Sequence, residues 1–226
     1  MNEVLYPVNE IFITIQGEAT FTGTPSCFIR LQGCNVGCPW CDTKHTWQLD
    51  ANTQISVTEL VNKANDKDSW ASFTLNEIKD FVKTHASTIK HVVITGGEPA
   101  LYDLKPLCDM LEALGKTVQI ETSGTELLRI SEQAWVTLSP KFNMPGGKQV
   151  LIDAVKRANE IKMPIGKVSD IEKLKTFIFD YDFSQRIPIW LQPLSQNKEA
   201  TKICVKEALN NNWRLSLQTH KFIAIR

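Results

Sequence analysis

The chain has 226 residues, room for one large domain or at most two small ones, and enough to bury a core without disulfide staples. Lysine plus arginine number 25 and aspartate plus glutamate number 25, so the formal charge is zero. That balance argues against a bulk electrostatic grip on nucleic acid or an anionic membrane and leaves room only for a local basic patch. The opening Met-Asn-Glu-Val-Leu-Tyr-Pro lacks the basic and apolar regions of a signal peptide. No apolar run approaches the ~20 residues of a membrane span, so the expected location is the cytoplasm.

In chain order, residues 26–31 are rich in β-formers and predict a strand. A helix is predicted over 57–64, with Val57, Leu60, Val61 and Ala64 on one face and a Ser56/Glu59 capping box. A second starts at Leu75 with Ile78 and Val82 in phase behind Thr74 and Glu77. A strand at 91–95 precedes a helix at 104–114, which Asp103 caps and Gly115 ends. Strands follow at 117–121 and 135–139, helices at 151–158 and 171–178, a strand at 187–192, a helix at 200–208 and a strand at 214–218.

This alternation predicts an α/β fold with a mostly parallel sheet. Nearly every predicted strand ends in a polar cluster: Arg30-Leu31-Gln32, Thr95-Gly96-Gly97-Glu98, Glu121-Thr122-Ser123, Ser139-Pro140-Lys141, Gln192-Pro193 and Gln218-Thr219-His220. Parallel strands would bring all of them to one rim, the functional face of a barrel-like sheet. The length is short for eight βα units, so the expectation is a partial, open TIM-type barrel in one domain, residues 1–226.

Three of the six cysteines, Cys34, Cys38 and Cys41, fall in a C-x3-C-x2-C spacing just after a strand. Clustered thiols in a reducing compartment point to a thiophilic metal or cluster rather than a disulfide framework. Two readings stand on spacing alone. His45 would complete a Cys3His zinc site and make a zinc-stabilised binding module. Three cysteines without a fourth ligand would leave one iron of a 4Fe–4S cluster open to a small molecule. Cys27, Cys108 and Cys204 read as packing residues. The second motif is Thr95-Gly96-Gly97-Glu98-Pro99, where two glycines at a strand end allow close backbone approach and Glu98 adds a carboxylate.

Together the two motifs resemble the radical S-adenosylmethionine (SAM) superfamily. Further segments resemble its 7-carboxy-7-deazaguanine synthase family: Asn9-Glu10-Ile11-Phe12, Ile15-Gln16-Gly17-Glu18, Phe28 to Cys34, Cys41-Asp42-Thr43-Lys44, Glu121 to Gly124, Leu191-Gln192-Pro193, and Trp213 to Lys221. The likeness spans almost the whole chain and is weakest in a crossover at about 46–72. It implies a lyase of queuosine biosynthesis that converts 6-carboxy-5,6,7,8-tetrahydropterin to 7-carboxy-7-deazaguanine with loss of ammonia. The reaction would run through a 5′-deoxyadenosyl radical, with no side-chain acid or base as catalyst. It implies Cys34, Cys38 and Cys41 on a 4Fe–4S cluster, and Gly97, Glu121, Ser139, Pro140, Lys141 and Gln192 at SAM. Ile15, Gln16, Gly17, Arg30, Thr95 and His220 would meet the pterin, with the terminus near Arg226 a further contact. Thr43 would hold Mg2+. A flavodoxin-like reductant and a homodimer are the implied partners, with no direct nucleic acid or membrane contact. A sibling such as a glycyl-radical activase would share the cysteine motif but not the pterin-type segments. On residue chemistry alone, Arg30 in an apolar strand needs a partner, such as Glu18 or Glu121.

Overall fold

The computed structural model describes residues 4–63, 68–183, 187–223 and 225. Its strands are β1 (Leu5–Ile15), β2 (Pro25–Leu31), β3 (Ala71–Thr74), β4 (His91–Gly96), β5 (Thr117–Thr122), β6 (Trp135–Leu138), β7 (Glu160–Ile165), β8 (Ile189–Pro193) and β9 (Arg214–Leu215). They form one sheet in the order β3-β1-β2-β4-β5-β6-β7-β8-β9. β1 runs antiparallel to β2 and β3, and every pairing from β2 to β9 is parallel. Among the described residues β3 and β9 remain edges, which makes the sheet the open, partial barrel that the sequence predicts.

The helices are α1 (Val57–Asn62), α2 (Leu75–His85), α3 (Lys105–Ala113), α4 (Ile152–Arg157), α5 (Val168–Asp180), α6 (Lys198–Asn211) and α7 (Thr219–Phe222). Both predicted capping boxes form. In the second, Thr74 N–H donates to Glu77 at 2.7 Å while Glu77 N–H donates to the Thr74 hydroxyl at 3.2 Å. At α3 the cap differs from expectation. Leu104 is the N-cap residue, and Asp103 instead accepts the Lys105 N–H at 3.1 Å.

The sheet has two chemically distinct faces, set by the two-residue period of a strand. Cys27, Ile29 and Leu31 of β2, Val92 and Ile94 of β4, and Val118 and Ile120 of β5 pack with α2 and α3 residues into one apolar cluster. Leu138, Ile161, Met163, Ile165, Ile189 and Leu191 pack with α4, α5 and α6 into a second. The alternate residues Arg30, Thr95, Gln119, Glu121, Thr137, Glu160, Lys162 and Gln192 turn to the other face. Burial of the first set holds the helices on; the second set furnishes a polar interior.

That interior is plugged from below by the chain leaving β1. The Gln16 amide donates to Gln119 at 3.2 Å, and the Thr20 hydroxyl donates to Glu160 at 2.5 Å. Phe21 lies 4.3 Å from the His91 ring and 5.1 Å from Trp135 (centroid separations), at the N-terminal ends of β4 and β6. Glu160 also accepts the Thr137 hydroxyl at 2.7 Å, so its buried carboxylate is satisfied.

Three strands and one helix escape the sequence reading. β1 carries Pro7, Asn9 and Glu10, and its register shifts at Asn9. Asn9 is buried, donating to Gln32 at 2.9 Å and the Ser69 carbonyl at 3.2 Å. β3 has only four residues. β7 has its charges pointing inward. The strand predicted at 214–218 stops after two residues, and the chain then turns into α7. The predicted helix 57–64 ends at Asn62, and Ala64 lies outside the described residues, as do parts of the 46–72 crossover. The described part of that crossover is tied down by Leu60 in the core and by Trp70 Nε1–H donating to the Asp50 carbonyl at 2.9 Å.

Candidate active site

Five polar strand ends meet on one rim with the Gln218–His220 segment, which enters α7 instead of ending a strand, and the cysteine loop is fastened to that rim. The Gln32 amide donates to the carbonyls of His45 at 2.9 Å and Gln48 at 2.7 Å. The Gly33 and Cys34 amides pair with Thr46 and Trp47 at 2.6 and 3.0 Å. The loop between is thereby closed at its base. The Gly-Gly segment packs on it backbone to backbone. Gly97 N–H donates to the Leu31 carbonyl at 3.0 Å and Glu98 N–H to the Gly33 carbonyl at 2.8 Å. Gly96 has φ +137°, where only glycine is comfortable, and a Cβ there would stand 2.2 Å from the Leu31 oxygen. Glu98 is buried and points back into the protein. It accepts from Ala100 N–H at 3.0 Å, the Thr122 hydroxyl at 2.6 Å, and both the amide (2.9 Å) and hydroxyl of Ser123. It thus fastens the end of β4 to the end of β5.

Two hollows open on this rim. The larger, about 1000 Å³, is lined by Cys34, Cys38, Cys41, Gly97, Glu121, Ser139, Lys141 and Gln192 among others. The second, about 670 Å³, is lined by Ile15, Gln16, Gly17, Arg30, Thr43, Thr95 and His220. Every site residue expected from the sequence therefore borders one of the two, except Pro140, which lines a neighbouring hollow with Trp40 and Met163. Arg226 lies outside the described residues. His45 borders neither main hollow. Six residues, Glu18, Asp42, Thr95, Glu121, Lys162 and Gln218, belong to both and form the wall between them.

The wall is a charge network. Lys162 Nζ donates to Glu18 at 2.5 Å and to Glu121 at 2.6 Å. Burial pushes the Glu18 carboxyl up, but Lys162 overrides it and holds Glu18 well below the ordinary carboxylate range. Burial also raises Glu121, with Lys162 opposing and Glu18 adding to the rise. Burial works against the Lys162 ammonium, yet the two carboxylates keep it above the ordinary lysine range. Arg30 is not part of this network. It pairs with Glu10, at 3.7 Å, and its guanidinium lies 5.9 Å from the centre of the Phe12 ring, while among the described residues the ion pairs of Glu18 and Glu121 go to Lys162.

The C-terminal segment closes one side. Thr219 N–H donates to the Gly17 carbonyl at 3.0 Å, and Lys221 pairs with Asp42 at 2.8 Å. Gly17 is required here because a Cβ would lie 2.4 Å from His220 Nδ1. Burial lowers the His220 pKa, with Glu18 opposing.

Comparison with known proteins fits this arrangement. The Radical SAM superfamily model matches residues 28–168, which run from β2 to the start of α5. The 7-carboxy-7-deazaguanine synthase of Escherichia coli (strain K12) is 48% identical over 97% of this chain and 99% of its own length. The enzyme of that name from Buchnera aphidicola subsp. Schizaphis graminum is 48% identical over 98% and 99%, and the Synechocystis one 37% identical over 99% and 95%. A crystal structure of QueE from Escherichia coli superposes with a TM-score of 0.90 at 47% identity, covering 94% of this chain and 93% of that one.

The chain belongs to the 7-carboxy-7-deazaguanine synthase family of radical SAM enzymes.

Membership implies a 4Fe–4S cluster and SAM, and the residues present fit both. Cys34, Cys38 and Cys41 line one shared hollow, where their three thiols would hold the cluster. Burial pushes the Cys34 and Cys38 thiols up; the amides of Val36 and Gly37 oppose this at Cys34, and Lys141 opposes it at Cys38. Gly96 and Gly97 line the same hollow and put no side chain into it. Among the described residues no helix is long and apolar enough to cross a membrane.

The sequence of this synthase family member did not single out Lys162 as a cleft residue; it put Gln218 on the rim and Glu18 in a family-like segment, but gave Gln218 no site role and Glu18 only a possible pairing with Arg30. The signal for Lys162 was there: Glu160-Ile161-Lys162-Met163-Pro164-Ile165 alternates with a period of two. A strand with charges on one face normally reads as solvent-facing, but here that face is the barrel interior.

Proposed function

We propose that the chain converts 6-carboxy-5,6,7,8-tetrahydropterin to 7-carboxy-7-deazaguanine, releasing ammonia, as a carbon–nitrogen lyase of the radical SAM class. The observation that carries this reading is the pair of adjoining hollows, one walled by three thiols and a glycine rim, the other headed by a guanidinium. A reduced cluster with SAM supplies hydrogen-atom abstraction and so needs no acid or base side chain to start the reaction. The chain's own task is to bind, orient and exclude water.

In this reading Cys34, Cys38 and Cys41 hold the cluster. Gly97, Glu121, Ser139, Pro140, Lys141 and Gln192 surround SAM, while Ile15, Gln16, Gly17, Thr95 and His220 surround the pterin. Arg30 meets the pterin carboxylate with a two-pronged charge-assisted contact. Thr43 would offer its hydroxyl oxygen to Mg2+, an ion that prefers oxygen ligands, and the ion would help to neutralise the substrate's negative charge. The whole chain acts as one domain in the cytoplasm, as a homodimer fed by a flavodoxin-like reductant.

The test is anaerobic reconstitution with iron and sulfide, followed by turnover of the carboxytetrahydropterin with SAM, reductant and Mg2+. Product formation that falls on Mg2+ removal and returns on its addition is expected. An intact cluster that cleaves SAM but yields no deazaguanine product would return the assignment to the superfamily level.

A further inference from the structure

The wall between the two hollows contains one arrangement that the reaction above does not account for. Glu18 follows β1 and Glu121 ends β5, two elements far apart in sequence, yet both carboxylates turn their Oε2 atoms onto one ammonium. Their remaining oxygens are held by amides. Gln218 and Gln192 donate to Glu18 Oε1 at 3.0 and 3.4 Å, and Gln119 and Gln16 donate to Glu121 Oε1 at 3.1 and 3.5 Å. Lys162 rises from the middle of β7 and is itself almost wholly buried, at 6% exposure. Among the described residues no other ion pair reaches either carboxylate.

We infer that Lys162 is a positioning residue for the proposed reaction, clamping Glu18 and Glu121 so that the wall between the two hollows keeps one shape. The inference rests on the functional reading above. Hydrogen transfer between ligands in adjoining hollows demands that their reacting atoms sit in contact, and a small displacement of the intervening wall is costly in rate. Without the ammonium, two buried carboxylates would face each other uncompensated. One would take up a proton or both would swing apart, toward the hollows they line. Lys162 acts through these two groups and through the amides that hold them.

The test uses reconstituted holoenzyme carrying Lys162→Met or Lys162→Gln. Methionine keeps the length without charge, and glutamine keeps an uncharged NH2 donor group should methionine disturb folding. Three quantities are read: iron per chain, the ratio of 5′-deoxyadenosine released to deazaguanine formed, and the pH profile of kcat/KM. The other titratable groups facing the pair are Glu160 on β7, Lys141 beyond β6, His220 on α7 and, through Gln218, Asp42 of the cysteine loop. None of them is altered in the variants.

Normal iron content, a deoxyadenosine-to-product ratio raised at least ten-fold, and an acid limb moved to higher pH are expected. The limb moves upward because carboxylates that lose their cation protonate more readily. A variant with the wild-type ratio and a pH profile merely scaled down at every pH would make Lys162 a support of the fold and overturn the inference. Wild-type enzyme without product would remove both the function and the inference, and is seen before any variant is assayed.

Discussion

Gly97 and Gly33 are in backbone contact: a Cβ built on Gly97 would stand 2.1 Å from the Gly33 carbonyl oxygen and 3.0 Å from the Cβ of Cys34. The Gly-Gly segment at the end of β4 is therefore the floor on which the cysteine loop rests, as well as the proposed rim for SAM. Gly97→Ala forces the loop outward. It should cost about 1–3 kcal/mol, the usual penalty of overpacking, and lower the iron bound per chain after reconstitution. Measured iron and sulfide at wild-type levels would contradict this coupling.

Two cysteine classes should separate cleanly. Cys38→Ala removes a proposed cluster ligand and should abolish cluster assembly, read as loss of the brown chromophore and of iron. Cys108→Ala removes a thiol that is fully buried under α3. That variant should keep a full cluster and lose only about 0.5–3 kcal/mol in urea unfolding. Retention of activity in Cys38→Ala, or loss of iron in Cys108→Ala, would reverse the partition.

Arg30 faces the second hollow from β2, with Glu10 as a loose ion-pair partner at 3.7 Å. Arg30→Ala should remove a charge-assisted contact worth about 1.5–3 kcal/mol, raising KM for the carboxypterin roughly ten-fold or more. Iron content should stay unchanged. A variant whose kcat falls with no change in KM would move Arg30 out of ground-state substrate binding.

His91 gives a pH signature of stability. It sits at the base of β4, 3% exposed, with Nδ1 3.1 Å from the Thr117 hydroxyl and Nε2 2.8 Å from Gln119 Oε1. Burial lowers its pKa below the ordinary 6.5, with the Gln119 hydrogen bond opposing. The unfolded chain therefore binds a proton at higher pH than the folded one. The stability contributed by neutral His91 is present above pH 6.5 and is lost as pH falls toward the folded pKa. Urea midpoints at pH 7.5 and 5.5 should differ more in the wild type than in His91→Gln. Equal differences would show that other groups carry the acid sensitivity.

The sequence by itself determined the parallel barrel, because most strands declare themselves through β-branched runs followed by polar ends. It determined both motifs and the family, because C-x3-C-x2-C and Gly-Gly-Glu-Pro are local patterns whose spacing is their meaning. It also set the motif cysteines Cys34, Cys38 and Cys41 apart from Cys27, Cys108 and Cys204, which pack in the two apolar clusters. Only the tertiary structure decided which way a polar strand residue faces. Glu160 and Lys162 look solvent-facing in a linear reading, yet in the folded sheet both are buried on its inner face. Only it paired Arg30 with Glu10 across β1 and β2, and only it drew Glu18 and Glu121 onto one lysine from elements 103 residues apart in the chain. The physical reason is the same in each case. Periodicity and motif spacing are properties of neighbours along the chain, whereas the compensation of a buried charge depends on whatever the fold brings beside it.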